Sequence, residues 1–423
     1  MLTLLLVAAF LADSTVPVHA RNARYYALAA DSASRTGDCR AALRFMRALD
    51  SLAPMNPYIP YHMGAYAAQC GRRQAALAAL ARAARMGYTR RVDTETLFAT
   101  WRWRTDRQFA HVAAAFADNR RPLSSSTPAF ALDDPRVMPE DITYDSADGS
   151  FYLGSLAEHK VIRVAPGGAI TDITRPEDGL VRVVGMKVDW HRRLLWFATW
   201  LPAKPVDRTQ LVRYDLDAHR ITAVLTLGDT LRGHTFNDVV LTSNGTVFIT
   251  ETDDDAIYRV RPDTDALERF VQLDSARWTA PNGVAISPDG ARLYVAMTEG
   301  LAAIDVDTRR VRYVDGPHDV STSNIDGLYW YDAGLVAIQI QGDLERVVRY
   351  DLDATGLRIT RARVLERNTP ILQDPTSGVI VGHTFYYIAN SQYRLLADDG
   401  HLTTMPLPTV IQQIDLASKT RPR

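Results

Sequence analysis

Only two of the 423 residues are cysteine, Cys39 and Cys70. That excludes a disulfide-dense scaffold and any thiolate-rich zinc arrangement. No charge of one sign prevails: 48 Lys and Arg stand against 49 Asp and Glu. Nor are the acids gathered into a tail, so nothing marks a nucleic-acid or anionic-membrane surface. After Leu11 no apolar run approaches the length of a membrane span, which argues against an integral membrane protein. What is present is ordinary globular composition, 47% apolar and 23% charged, with ample material for a core and enough chain for two or three domains.

Residues 1–20 stand apart. Leu2 to Leu11 is almost continuously apolar, Asp13, Ser14 and Pro17 break the run, and Val18-His19-Ala20 offers a processing site. No Lys or Arg precedes the run. We read 1–20 as a signal peptide, with an uncleaved or interfacial anchor as the competing reading, and expect export to a periplasmic or extracellular space. Residues 21–119 are rich in Ala, Arg and Leu and contain little Gly or Pro, which is helical composition. They repeat with a 34-residue period: Gly37-Asp38-Cys39-Arg40-Ala41-Ala42-Leu43 matches Gly71-Arg72-Arg73-Gln74-Ala75-Ala76-Leu77. With Gly64 between the helices of the second unit and Pro54 ending the first, this resembles tetratricopeptide repeats; a generic Ala-rich bundle is the alternative. A third helical stretch around Leu97 to Phe116 would cap them, Trp101 and Trp103 serving as packing residues. A stack of that kind sets the second helix of one unit antiparallel to the first helix of the next. It would make Cys39 and Cys70 neighbours, which an exported chain could oxidise to a disulfide; two buried small residues are the other reading.

Residues 120–127, with Pro122 and three serines, read as a linker that permits relative motion. Beyond it the apolar period changes to two, and Asp-Gly and Asn-Gly turns separate short runs of Val, Ile, Tyr and Phe. Six segments align: those beginning at Glu140, Val184, Asn237, Asn282, Asp326 and Ser377, spaced by 44 to 53 residues. Most of these hairpins are followed by another. Four strands per unit and six units predict a six-bladed β-propeller over 128–416, with 417–423 as a tail. The strand from Ala129 to Leu132 is expected to close the ring against Val410 to Leu416, removing exposed sheet edges.

Innermost strands line a propeller's channel, so the six aligned positions predict a ring at one mouth. Strand propensity does not favour Asp or Asn there. Glu140, Asn237, Asn282 and Asp326 converge four oxygen donors on one point, which suits a hard cation: calcium first, other divalent cations as alternatives. Recurring turn dipeptides between blades are the plainer explanation of any one of them.

These segments resemble the gluconolactonase, regucalcin (senescence marker protein) and paraoxonase superfamily. The resemblance runs through Pro139-Glu140-Asp141, Asn237-Asp238, Ala280-Pro281-Asn282-Gly283-Val284-Ala285-Ile286-Ser287-Pro288-Asp289-Gly290 and Ile325-Asp326-Gly327-Leu328. It covers the propeller and not the helical segment. It implies that Glu140, Asn282 and Asp326 ligate calcium directly and that Asn237 is a further ligand or binds substrate. Two positions depart from it: Thr235 stands where regucalcin-type lactonases carry Arg, and Val184 where paraoxonases carry His. His234 and His383 are each read as a mouth residue or a loop residue. Ser377 lacks the Gly-x-Ser-x-Gly surroundings of a nucleophile, so Val184, His234 and Ser377 stand as pocket candidates. Two functions follow. One is calcium-dependent hydrolysis of a small ester or lactone, with Asp326 and Asn237 catalytic. The other is a non-catalytic propeller with a structural calcium ion, binding protein or peptide partners through the helical repeats.

Overall fold

The computed structural model describes residues 21–95, 98, 102–203, 206–228, 232–340 and 344–418. The expected signal segment 1–20, Leu97 and Trp101 therefore lie outside the described residues. The described N-terminal part is helical: α1 (Ala23–Arg35), α2 (Cys39–Leu52), α3 (Tyr58–Gln69), α4 (Arg73–Arg85) and α5 (Arg107–Asn119). Local sequence starts and stops them. Asn22, Asp38 and Asp106 accept hydrogen bonds from N–H groups of the first turns of α1, α2 and α5, the orphan donors of a helix start. Gly37 and Gly71, at φ 78° and 69°, end α1 and α3 in the left-handed conformation that glycine adopts without strain. The 34-residue repeat is thus a repeat of helix, glycine turn and helix. Ala30, Ala42, Leu43, Met46, Leu80, Ala83 and Phe116 are buried in a common core, and Gly64 lies against Leu80. Trp103 is buried in that core against Phe98 and Phe109.

Cys39 at the start of α2 and Cys70 at the end of α3 form a disulfide, with Cα atoms 5.7 Å apart. It staples the two helix hairpins together. The bond is at home in an oxidising compartment, and no described helix is long and apolar enough to cross a membrane.

The rest is a six-bladed β-propeller. Five blades are consecutive four-stranded antiparallel sheets, running from Pro139 to Asp172, Arg182 to Leu225, Phe236 to Gln272, Val284 to Tyr313 and Ile325 to Arg367. Their inner strands are β2 (Pro139–Asp145), β6 (Arg182–Asp189), β10 (Phe236–Leu241), β14 (Val284–Ile286) and β18 (Ile325–Tyr331). The sixth blade joins β22 (Gly378–Val381), β23 (Thr384–Ile388) and β24 (Val410–Asp415) to β1 (Ser126–Ala131) from the other end of the domain. The β1–β24 pairing, Phe130 opposite Ile411, closes the ring.

Two features decide what can reach the channel. Across blade five the residues Ile325, Gln339, Arg346 and Arg367 lie in one row, at the end where the aligned ring positions begin. The helical region rests on that same end. Buried Arg346 donates to Gln339 and to the carbonyl of Met86. The Thr322 amide donates to Met55 O, and Arg367 and Asn368 donate to carbonyls at the end of α5. Ser124, Ser125 and Ser126, read above as part of a linker permitting motion, are gathered on the Glu366 carboxylate instead. Ser124 donates its hydroxyl and Ser125 and Ser126 their backbone N–H groups to this buried carboxylate, and this holds the connection to blade five. Second, the long connection 389–409 leaves blade six at the same end and reaches blade two, where Arg182 donates to the carbonyls of Ala397 and Asp398. Leu396 packs with Met138 and Val184 on the way.

The disulfide closes a loop of 31 residues, worth roughly 3–4 kcal/mol by chain entropy. Unreduced, denatured protein should show no free thiol in a thiol titration, and Cys70→Ser should lower the unfolding free energy from urea titration by an amount of that order.

Candidate metal centre at the mouth of the channel

Four of the six ring positions sit where the inner strand is kinked. The pairing of inner strand with its neighbour slips at the ring position in β2, β6, β10 and β18. Such bulges re-aim a side chain from the sheet face. A second device is more selective. Met138, Ala280 and Asn324 have φ of 41°, 52° and 53°, and each lies two residues before a ring position: Glu140, Asn282 and Asp326. Left-handed Met and Ala are costly, and such strain is tolerated where the surroundings impose it. Gly283 then lets the next blade close in, since a Cβ there would lie 1.9 Å from the Asp326 carbonyl oxygen.

Glu140, Asn282 and Asp326 form one cluster. The Asn282 amide hydrogen-bonds the Asp326 carboxylate. Burial, and then the Asp326 charge, hold the Glu140 carboxyl well above the usual range. Burial likewise pushes Asp326 up to about 7, against the Asn282 hydrogen bond and with help from Asp238 and Asp141. Glu140 Oε2 is buried without a hydrogen-bond partner, a costly state for a carboxylate oxygen. Asn237 joins through Thr252, whose hydroxyl lies 3.4 Å from Asn237 Nδ2 and donates to Pro281 O beside Asn282.

Beneath lies a tier that sequence reasoning did not single out. Lys187 Nζ sits 3.7 Å from Asp141 and 3.9 Å from Asp238, and donates to Met186 O at 3.0 Å. Burial would depress this ammonium, but Asp141 and Asp238 overcome it and its pKa is raised. Each aspartate also accepts two backbone N–H bonds: Asp141 from Ile142 and Met186, Asp238 from Val239 and Val284. Burial still pushes Asp141 up to about 6. The signal was available, since Asp141 and Asp238 follow Glu140 and Asn237 directly and Lys187 interrupts an apolar inner strand.

Four carboxylates therefore share the channel with one ammonium. An orphaned Glu140 oxygen, raised carboxyl pKa values and a donor set made of oxygen fit a hard divalent cation.

The other named residues divide. Val184 and Ser377 are buried at their ring positions; Val184 packs in an apolar cluster with Met138 and Leu396. His234 is buried beside Glu251, 3.6 Å from it, with neither ring nitrogen hydrogen-bonded. Ligand atoms of His234, Glu251 and Asp254 lie within 4.8 Å of one another. Glu251 already accepts the amides of Thr235 and Asp254, however, and Asp254 pairs with Arg269. His383 lies in the β22–β23 hairpin, at the end of its blade opposite Ser377, bonded to Tyr331 Oη at 2.9 Å. That removes it from the mouth. Tyr393 of the 389–409 connection, in contrast, is near enough to Asp326 for that carboxylate to add to the effect of burial, which pushes its hydroxyl up to about 12.

The model of the SMP-30/Gluconolactonase/LRE-like region matches residues 138–361, more than half the chain and five of the six ring positions. The chain belongs to that family. Among solved structures, the chain is similar to a gluconolactonase of Xanthomonas campestris, with 16% identity over 69% of this chain and 97% of that one, TM-score 0.45. It is similar also to the calcium-binding protein regucalcin of Agrobacterium tumefaciens, with 17% identity over 69% and 93%, TM-score 0.47. A PQQ-bound aldose sugar dehydrogenase of Streptomyces coelicolor shares 13% identity over 69% and 99%, TM-score 0.48. No curated protein matches the chain. The family match lies in the propeller and leaves the helical region outside it.

Two outcomes follow from the charge balance. Lys187→Met leaves Asp141 and Asp238 buried without a counter-charge and should lower unfolding stability by about 3–5 kcal/mol in urea titration. Asp326, with its folded pKa raised above the unfolded value, contributes stability that is complete below about pH 4 and lost as pH rises through about 7. Chelator-treated protein should accordingly melt at a lower temperature at pH 8 than at pH 5 by scanning calorimetry, and Asp326→Asn should flatten that dependence.

Proposed function

We propose that the chain is a calcium-dependent hydrolase of small esters or lactones. The observation that carries this reading is the buried, unpartnered Glu140 oxygen beside Asp326 and Asn282 at the mouth of the channel. It is supported by membership of a family whose description includes gluconolactonase. Glu140, Asn237, Asn282 and Asp326 would hold the ion through their oxygens. Bound there, calcium would supply Lewis-acid polarisation of a carbonyl and stabilisation of the oxyanion that develops on it.

The residues of the chain do the rest. Asn237 orients the substrate, its amide steadied by Thr252. Asp326 accepts a proton from the attacking water as general base, a role suited to a carboxyl held near neutrality. Ligation lowers carboxylate basicity, so the two duties of Asp326 compete, and the Asn282 hydrogen bond adds to the restraint. Tyr393 and the 389–409 connection exclude water from one side of the mouth.

We further propose that the chain is exported and that residues 1–20 direct it. The reading of the helical region as a platform for protein partners finds less support. That region is spent in part on the propeller, covering the ring end of blades four and five.

Calorimetric titration of chelator-treated protein with calcium, followed by an ester and lactone panel, tests the reading. Calcium binding and calcium-dependent turnover are expected in the wild type. Asp326→Ala should lose turnover by at least about a hundredfold, the scale of a general base. Tight calcium binding without turnover of any ester or lactone would leave a structural ion in a scaffold.

A further inference from the structure

The mouth is roofed on two sides. The 389–409 connection covers blades six, one and two, and the helical region rests on blades four and five. Between the helical region and the ring ends of blades three and four, a cavity of about 640 Å³ remains. That is the size of a small-molecule site. Its floor includes Thr252 and Ala280 of the propeller, and its wall is built by Leu28, Leu49, Tyr58 and Ile59 of the first three helices.

We propose that this cavity seats an alkyl chain of several carbons carried by the ester or lactone, so that the helical region sets substrate specificity. The proposal rests on the hydrolytic reading above. Three observations carry it. Leu28 and Tyr58 are 37% and 42% exposed, among the few large apolar side chains left to water in the described residues, and both face the same cavity. An apolar wall kept open to solvent marks a binding surface. The carboxylates of the floor are already engaged, Asp255 by the amide of Ala280 and Asp253 by the Thr235 hydroxyl. The helical wall also carries Asn22, Arg24 and Asn56, beside a larger number of apolar side chains. Finally, Thr252 belongs to both places, lining the cavity and lying 3.4 Å from Asn237 Nδ2. A substrate whose carbonyl lies at the ring would thus extend its chain past Thr252 toward Leu28.

The test uses the full chain, with Leu28→Glu and, as a second variant that fills the cavity instead of polarising it, Ala27→Trp. Decan-1-ol and butan-1-ol, which cannot be hydrolysed, are titrated calorimetrically. The ratio of kcat/KM for δ-dodecanolactone over δ-valerolactone is then measured. Decanol should bind the wild type at least about tenfold more tightly than butanol, each methylene adding to the gain. Both variants should lose at least about tenfold in decanol affinity and in the lactone ratio. Equal decanol affinity in the wild type and both variants overturns the proposal, as does an unchanged lactone ratio in turning-over enzymes. Absence of all lactone turnover with decanol binding still lost in the variants removes the hydrolytic reading and leaves the alkyl site standing.

Discussion

Four carboxylates, Glu140, Asp141, Asp238 and Asp326, meet one ammonium, Lys187, inside a channel closed to most solvent. Like charges in a low-dielectric space repel strongly, and each carboxyl is driven toward its protonated form. The fold answers in two ways. The lower pair is neutralised from within, by Lys187 and by four backbone N–H donors. Glu140 and Asp326 receive less: one amide hydrogen bond from Asn282 and, for Glu140 Oε2, nothing. The imbalance has a location, and it is the mouth.

Building that imbalance required local departures from good strand geometry. Bulges kink four inner strands, and left-handed residues precede the three ring members that cluster most closely. Such features survive only in a frame that resists relaxation. Closure by the β1–β24 pairing provides it, because in a closed ring of blades each inner strand lies between the inner strands of its two neighbours and cannot shift without displacing them. The disulfide and the Arg346 contact with Met86 carry the same restraint into the helical region, so the mouth is bounded by elements fixed to one another.

Much of this was legible beforehand. Six hairpins in one register implied the six blades, since a strand pattern repeating about every 45 residues has few other solutions. The ring residues were legible because Asp and Asn are poor strand formers and must have another reason to begin strands. The Cys39–Cys70 pairing followed from the repeat geometry. What stayed hidden depended on contacts between distant segments. The burial of Lys187 between Asp141 and Asp238 joins three blades, and no single segment announces it. The serines at 124 to 126 looked like a flexible linker because composition does not reveal that Glu366 gathers them. His383 was ambiguous for a simpler reason: a residue in a hairpin turn lies at one end of the propeller or the other according to strand direction alone.

The division of labour between the two parts of the chain follows from where they touch. The ring residues are confined to the propeller, where a shift of one inner strand would disturb both neighbours. The walls above the ring come from separate stretches, the 389–409 connection and the first helices, which meet the propeller through hydrogen bonds to backbone carbonyls and through single apolar anchors, Leu396 near Met138 and Val184 and Met55 in the core of blades four and five. Such contacts tolerate change in the side chains around them. Under the proposed function, chemistry at the ring and selection above it can therefore vary independently, the first constrained by buried charge and the second by the shape of an apolar wall. In the proposed reading, the helical region's place over blades four and five bounds one side of the approach to Asn237 and Asp326.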